Sequence, residues 1–144
     1  MSWLELKLFL REPLTVLFAL ALPMLDIVTI GAGGGSVGWL DEGGLLRVGP
    51  ESAGADPGPA CYARGGQNPT VTDADLVLGY LDPDYFLGGT MPLDKASAEK
   101  AIDKKVAKHL KTDVTSAAFG IHDLINETMA AAAKTGFRRM PKKG

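Results

Sequence analysis

Residues 25–36 read Leu25-Asp26-Ile27-Val28-Thr29-Ile30-Gly31-Ala32-Gly33-Gly34-Gly35-Ser36, a β-branched run that passes directly into glycines. The first half has the composition of a strand. The second half lacks the side chains a strand interior needs, so it reads as a loop. Beyond it, Val37-Gly38-Trp39-Leu40 is extended again, Asp41-Glu42-Gly43-Gly44 carries turn chemistry, and Leu45-Leu46-Arg47-Val48 forms a second short strand. The expected unit is therefore a strand, a glycine loop and a β-hairpin.

Glycine loops of three kinds hold phosphates. A Walker A loop requires a Lys-Ser/Thr pair opening a helix, yet no lysine occurs between Met24 and Asp94. A dinucleotide fingerprint requires a third glycine where Ser36 stands, and then a helix, whereas Val-Gly-Trp-Leu-Asp-Glu-Gly-Gly follows. The remaining kind is a hairpin loop whose backbone N–H groups face a polyphosphate. Without Cβ atoms, Gly33, Gly34 and Gly35 are expected to take positive φ and lie against phosphate oxygens, with the Ser36 hydroxyl donating to phosphate or ligating a metal. Asp26 is placed to hold a divalent ion. The alternative is an empty tight turn between two strands.

Upstream, the uncharged run Pro13–Leu25 is shorter than a bilayer span and has poor secretory-signal character, since Glu5 and Glu12 dilute the basic residues. It reads as a buried helix or strand. Downstream, Pro50–Pro69 is rich in Pro and Gly and is expected to be a long irregular segment. Thr72 and Asp75 suggest a capping box for a short helix ending at Leu81. A second helix from Asp94 places Ala98, Ile102, Val106 and Leu110 on one side. A third from Asp113 to Gly136 aligns Ala117, Ile121, Leu124, Ile125, Thr128 and Ala132.

The chain has 144 residues, 46% of them hydrophobic and 22% charged, which suits one modest globular domain and excludes disorder and coiled coil. Its net charge of −2 argues against a nucleic-acid partner. That total conceals a division: residues 1–93 are acidic, residues 94–144 basic, and fifteen of the eighteen glycines lie between Gly31 and Gly89. One cysteine, Cys61, excludes a disulfide framework and fits a reducing, cytoplasmic setting. With no histidine or lysine near it in sequence, Cys61 reads as a buried small residue rather than a nucleophile. His109 and His122 show no ligand spacing, and Asp73 and Asp75 read as helix-start carboxylates.

The run Pro23–Gly89, including LDIVTIGAGGGSVGWLDEGG, ADPGPACYARGG and TVTDADLVLGYL, resembles the hydantoinase A/5-oxoprolinase family, which also contains acetone and acetophenone carboxylase subunits. Weaker similarity continues through AAFGIHDLINETMAAAAK to Lys134. The resemblance implies an α/β fold: a partial actin-like ATPase (ribonuclease-H-like) lobe in which the β-hairpin with its glycine phosphate loop is followed by helices. It implies an ATP-dependent enzyme acting on a cyclic amide such as 5-oxoproline or a hydantoin, with ATP and a divalent metal, magnesium, as cofactors and a hydantoinase B type subunit as partner. A ketone carboxylase subunit is the alternative, with a ketone as substrate. Within the motif Asp56-Pro57-Gly58-Pro59-Ala60-Cys61-Tyr62, Asp56 is the candidate catalytic residue; Gly33, Gly34, Gly35 and Ser36 are the cofactor-binding candidates and Asp26 the metal candidate. Family members often carry histidine where Val28 stands, and they are several times longer. The expected division is an unassigned apolar segment 1–22, a partial family domain 23–136 and a basic tail 137–144. On this reading the chain is a fragment, inactive alone or an inert remnant.

Overall fold

The computed structural model describes residues 32–139, with side chains through residue 135. Asp26 and the strand expected over Leu25–Ile30 lie outside the described residues, as does the end of the basic tail.

The hairpin is present. Strand β1 (Ser36–Leu40) pairs antiparallel with β2 (Leu46–Ser52), with Trp39 opposite Arg47 and Leu40 opposite Leu46. The second strand therefore extends past the expected Val48, through Gly49 and Pro50 to Ser52. Asp41 builds the connecting turn: its Oδ1 accepts the Gly43 and Leu45 amides at 2.9 and 3.0 Å, and its Oδ2 meets Arg47 Nε at 2.9 Å. Those contacts, led by the Leu45 amide, hold the Asp41 carboxyl below its ordinary value. A bulge between Ser36 and Gly38 turns Val37 away from β2 toward Thr70, and the Gly38 amide donates to Pro69 O at 2.8 Å.

Among the described residues four α-helical segments follow: α1 (Val71–Val77), α2 (Lys95–Ile102), α3 (Lys108–Leu110) and α4 (Val114–Arg139), with a π-helical stretch over Asp103–Ala107 joining α2 to α3. The capping box of α1 uses Thr70 and Asp73, two residues earlier than the pair suggested by sequence. The helix also stops sooner than Leu81, because the chain leaves it at Leu78 and Gly79 takes φ +84°. Asp94 caps α2 as expected, accepting the Ala96 and Ser97 amides. The last helix does not end at Gly136 but runs through it to Arg139.

A two-stranded ribbon is marginal by itself and needs a packing partner. Here that partner is α4. A Cβ at Gly38 would come within 3.0 Å of Ile121 Cδ1, and one at Gly120 within 3.0 Å of Leu46 Cδ2, so glycine on each side lets strand and helix meet. Val71, Ala74, Ile102, Val106, Ala117, Ala118, Ile121 and Ile125 form the core beneath the ribbon. A smaller cluster of Cys61, Leu76, Leu93 and Ala98 lies under the proline-rich segment. The result is a partial α/β lobe: one twisted ribbon against a layer of helices.

Candidate functional site

The glycine loop is a tight turn closed by its own atoms. Ser36 N donates to Gly33 O at 3.0 Å, and Gly33 N donates to Ser36 Oγ at 2.9 Å. Gly34 O accepts from Thr72 twice, from the amide at 2.8 Å and from Oγ1 at 2.9 Å. Gly35 O accepts the Ala53 amide at 2.8 Å. The Gly34 and Gly35 carbonyls are thus held by other segments of the chain, and that of Gly33 closes the turn itself. Of the four amides from Gly33 to Ser36, those of Gly33 and Ser36 are used within the turn, whereas those of Gly34 and Gly35 have no partner among the described residues.

That pattern has a geometric cause. In a planar trans peptide the C=O and the following N–H point in opposite directions. Because Gly33 O faces Ser36 across the turn and Gly34 O faces Thr72, the N–H groups of Gly34 and Gly35 face away from the atoms that hold those carbonyls. Gly34 is exposed and Gly35 half-buried, so an unsatisfied donor there is open to a ligand or to water. Two adjacent outward N–H groups form the kind of concavity that accepts an anion.

One expectation is corrected. None of Gly33, Gly34 and Gly35 takes positive φ. Glycine is needed at two of these positions for space: a Cβ on Gly34 would lie 2.8 Å from Thr72 Oγ1, and one on Gly35 would lie 2.7 Å from Ser52 Oγ. The Ser36 hydroxyl is only 4% exposed with its residue and faces Gly33, so its visible work is to close the turn.

Beside the turn, the proline-rich segment folds back on itself rather than trailing through solvent. Gly58 and Gly66 cross so closely that a Cβ on Gly66 would meet Gly58 O, and Ala60–Tyr62 makes one 3₁₀ turn. Asp73 fastens it. Its carboxylate accepts the amides of Ala60 and Cys61 at 3.1 and 2.7 Å, together with Thr70 N at 2.8 Å and Thr70 Oγ1 at 2.9 Å. Asp73 is therefore a structural anchor, consistent with the capping role expected. Cys61 is fully buried, and burial first, then the Asp73 charge, pushes its thiol well above the ordinary range. It is no nucleophile in this state.

Asp56 is exposed on the same segment, two residues beyond Gly54. Gly54 N and O lie 3.8 and 3.9 Å from the Cβ position at Gly35, which puts the root of the Asp56 loop against the glycine turn. Among the described residues, no three His, Cys, Asp or Glu side chains come together as a metal site. A cleft of ≈ 780 Å³ lies elsewhere, between β1 and the π-helical stretch, lined by Trp39, Glu51, Asn68, Lys104, Lys105 and His109 but by none of the glycine-turn residues.

His122, which the sequence reads as structural or solvated, has definite partners. Its Nδ1 stands 2.7 Å from Asp75 Oδ1, its Nε2 lies 2.9 Å from Asn126 Nδ2, and Tyr80 covers the ring at 4.8 Å. With Asn126 donating to Nε2, the ring proton sits on Nδ1 and donates to Asp75. The pair ties α1 to α4, and its role is structural.

The sequence model of the hydantoinase/oxoprolinase family matches residues 9–139. This chain belongs to the hydantoinase/oxoprolinase family. The acetophenone carboxylase gamma subunit of Aromatoleum aromaticum is 52% identical over 77% of this chain and 15% of its own length. Caprolactamase subunit alpha of Pseudomonas jessenii is 48% identical over 85% of this chain and 17% of its own. The crystal structure of the ATP-dependent caprolactamase from Pseudomonas jessenii superposes with a TM-score of 0.65 and 52% identity over 71% of this chain and 15% of that one. This hydantoinase/oxoprolinase chain therefore spans about one-sixth of the length of the relatives it matches. The matched span opens at residue 9, ahead of the Pro23 from which the resemblance was read. Among the described residues, no helix is long and apolar enough to cross a membrane.

Proposed function

We propose that this chain supplies a phosphate-holding turn to an ATP-dependent enzyme of the hydantoinase/5-oxoprolinase kind, one that opens a cyclic amide. The observation that supports it is the pair of outward Gly34 and Gly35 amides behind which every glycine carbonyl is already used. Those two N–H groups donate to the phosphate oxygens of ATP, and the missing Cβ atoms let Thr72 and Ser52 close on the turn from behind. Gly33 and Ser36 hold the turn in shape, and the Ser36 hydroxyl keeps a proton it can donate. When bound, ATP supplies the activation of an otherwise unreactive amide carbonyl. Asp56, extending from the loop rooted beside Gly35, reaches toward substrate or metal. A divalent ion, magnesium, draws on Asp26, outside the described residues. The actin-like lobe implied by the resemblance is the setting in which such a turn faces a nucleotide between two halves.

A ketone carboxylase subunit is the second reading, favoured by the 52% identity to the acetophenone carboxylase gamma subunit. Both readings require a partner: the names of that relative and of caprolactamase subunit alpha denote parts of assemblies, and a hydantoinase B type subunit is the partner proposed here.

The experiment is a titration of the purified 144-residue chain with ATP, read by calorimetry and by shifts of the backbone amide signals. Weak binding centred on Gly34 and Gly35 is expected, without ATP hydrolysis above background. Gly34→Val should abolish it, since its side chain would enter the space of Thr72 Oγ1. Undiminished binding in that variant would remove the turn as the phosphate site, and turnover of 5-oxoproline or a hydantoin by this chain alone would overturn its dependence on further subunits.

A further inference from the structure

We propose that Thr72 is the residue that aims the phosphate cradle, an inference that rests on the reading of the glycine turn given above. Thr72 is 38 residues from Gly34 in sequence, yet it donates to the Gly34 carbonyl through both its main chain at 2.8 Å and its hydroxyl at 2.9 Å. Among the described residues, no other carbonyl of the turn is gripped twice. Gly33 O takes one bond, from Ser36, and Gly35 O takes one, from Ala53.

The double grip fixes the plane of the Gly34–Gly35 peptide. One hydrogen bond leaves a peptide free to rock about the chain axis, because acceptor geometry at a carbonyl oxygen is broad. Two donors from the same residue narrow that freedom. The Gly35 N–H, antiparallel to the held carbonyl, is turned away from α1 and toward the open side of the turn. Thr72 itself is 9% exposed and touches the carbonyl on the inner side, so it does not compete with the oxygens of a phosphate for space. It acts through Gly34 and is a positioning residue.

The choice of threonine follows from its surroundings. The main-chain N–H of Thr72 belongs to the first turn of α1, where amides have no partner within the helix. Spending it on Gly34 satisfies that donor, and the hydroxyl adds the second bond from the same side. The absence of a Cβ at Gly34 is the other half of the fit, because a Cβ there would sit 2.8 Å from Thr72 Oγ1.

The test is an amide-resolved titration of the full chain with inorganic tripolyphosphate, in the parent and in Thr72→Ala, Thr72→Val and Thr72→Ser. In the parent, the Gly34 and Gly35 amide signals should move together. Thr72→Ala, which retains the main-chain bond and loses the hydroxyl, should weaken binding about fivefold. Its Gly35 signal should lose more of its shift than its Gly34 signal. Thr72→Val keeps the volume without the donor and should behave the same way, which covers the case in which alanine loosens α1. Thr72→Ser should return both affinity and the Gly35 response. A purely structural role would lower the melting temperature and leave the ratio of the two shifts unchanged, and that result overturns the inference. If parent amides respond and the variants respond identically, the turn remains a phosphate site and Thr72 is not its aiming residue. If neither parent amide moves, the reading of the turn fails and this inference falls with it.

Discussion

The Asp73 carboxylate accepts the Cys61 amide at 2.7 Å across twelve residues of sequence, so the first turn of a seven-residue helix holds down a loop that otherwise has little regular structure. Three main-chain N–H groups and a hydroxyl end on this one fully buried side chain. Asp73→Asn removes one acceptor oxygen and sets an amide N–H₂ against N–H donors. A loss of about 3 kcal/mol is expected, the order found when a buried charged acceptor is deprived of its bonds. Urea unfolding of the variant against the parent measures it, and an unchanged midpoint would show that the anchor is dispensable.

Cys61 provides a second reading of the same region. In the folded chain the thiol is fully buried beside Asp73 and its ionised form is disfavoured, first by burial and then by that charge. Iodoacetamide at mildly alkaline pH should leave it unmodified until the chain is unfolded in urea. The sign of its pH effect follows: a group whose folded pKa is raised supports the fold fully below its unfolded value, 9.0, and loses that support as pH climbs past it. Melting temperature should therefore fall above about pH 9 in the parent and less in Cys61→Ala.

Gly38 and Gly120 are the places where the ribbon touches α4. A valine at Gly38 would press on Ile121 Cδ1 and Cγ1, which stand 3.0 and 3.1 Å from the position of its Cβ. Overpacking of this kind costs about 2 kcal/mol. Shortening the neighbour with Ile121→Ala in the same chain should recover part of that loss, and a double-mutant cycle measures the coupling. Strictly additive effects would mean that strand and helix do not meet as described.

Acid acts on the exposed caps. Asp94 is held below its ordinary carboxyl value chiefly by the Ser97 hydroxyl, and Asp113 chiefly by the Ser116 side chain. A lowered folded value means support that is present above the unfolded pKa of 3.8 and lost as pH falls through the folded one. Carboxyl signals followed by NMR should show both residues titrating below free aspartate. Ser97→Ala should move Asp94 upward and leave Asp113 where it is.

The ribbon and its turn were legible in the sequence because a glycine loop, the extended run Val37–Leu40 and Asp-Glu-Gly-Gly follow one another over a few residues, where local preference decides. The start of α1 was ambiguous locally: Thr70-x-x-Asp73 and Thr72-x-x-Asp75 both fit a capping box. Tertiary partners select the first, since Thr72 is drawn to Gly34 and Asp75 to His122. The stripe Ala98, Ile102 and Val106 is buried as its spacing requires, but Leu110 is 38% exposed. The π-helical stretch inserts an extra residue into the turn and rotates Lys108–Leu110 off the buried side, which a period of 3.6 cannot anticipate. The conformation of the glycines was misjudged for a related reason: crowding by Thr72 and Ser52, which excludes a Cβ at Gly34 and Gly35, comes from residues far along the chain. The pairing of His122 with Asp75 spans 47 residues and leaves no local trace.

Thr72 and Asp73 are neighbours on α1, and they hold different things: one the glycine turn, the other the proline-rich loop that carries Asp56. The short helix is therefore a common mount for both. A substitution that displaced this helix would displace the glycine turn and the proline-rich loop together, so the spacing of the two is set by one element.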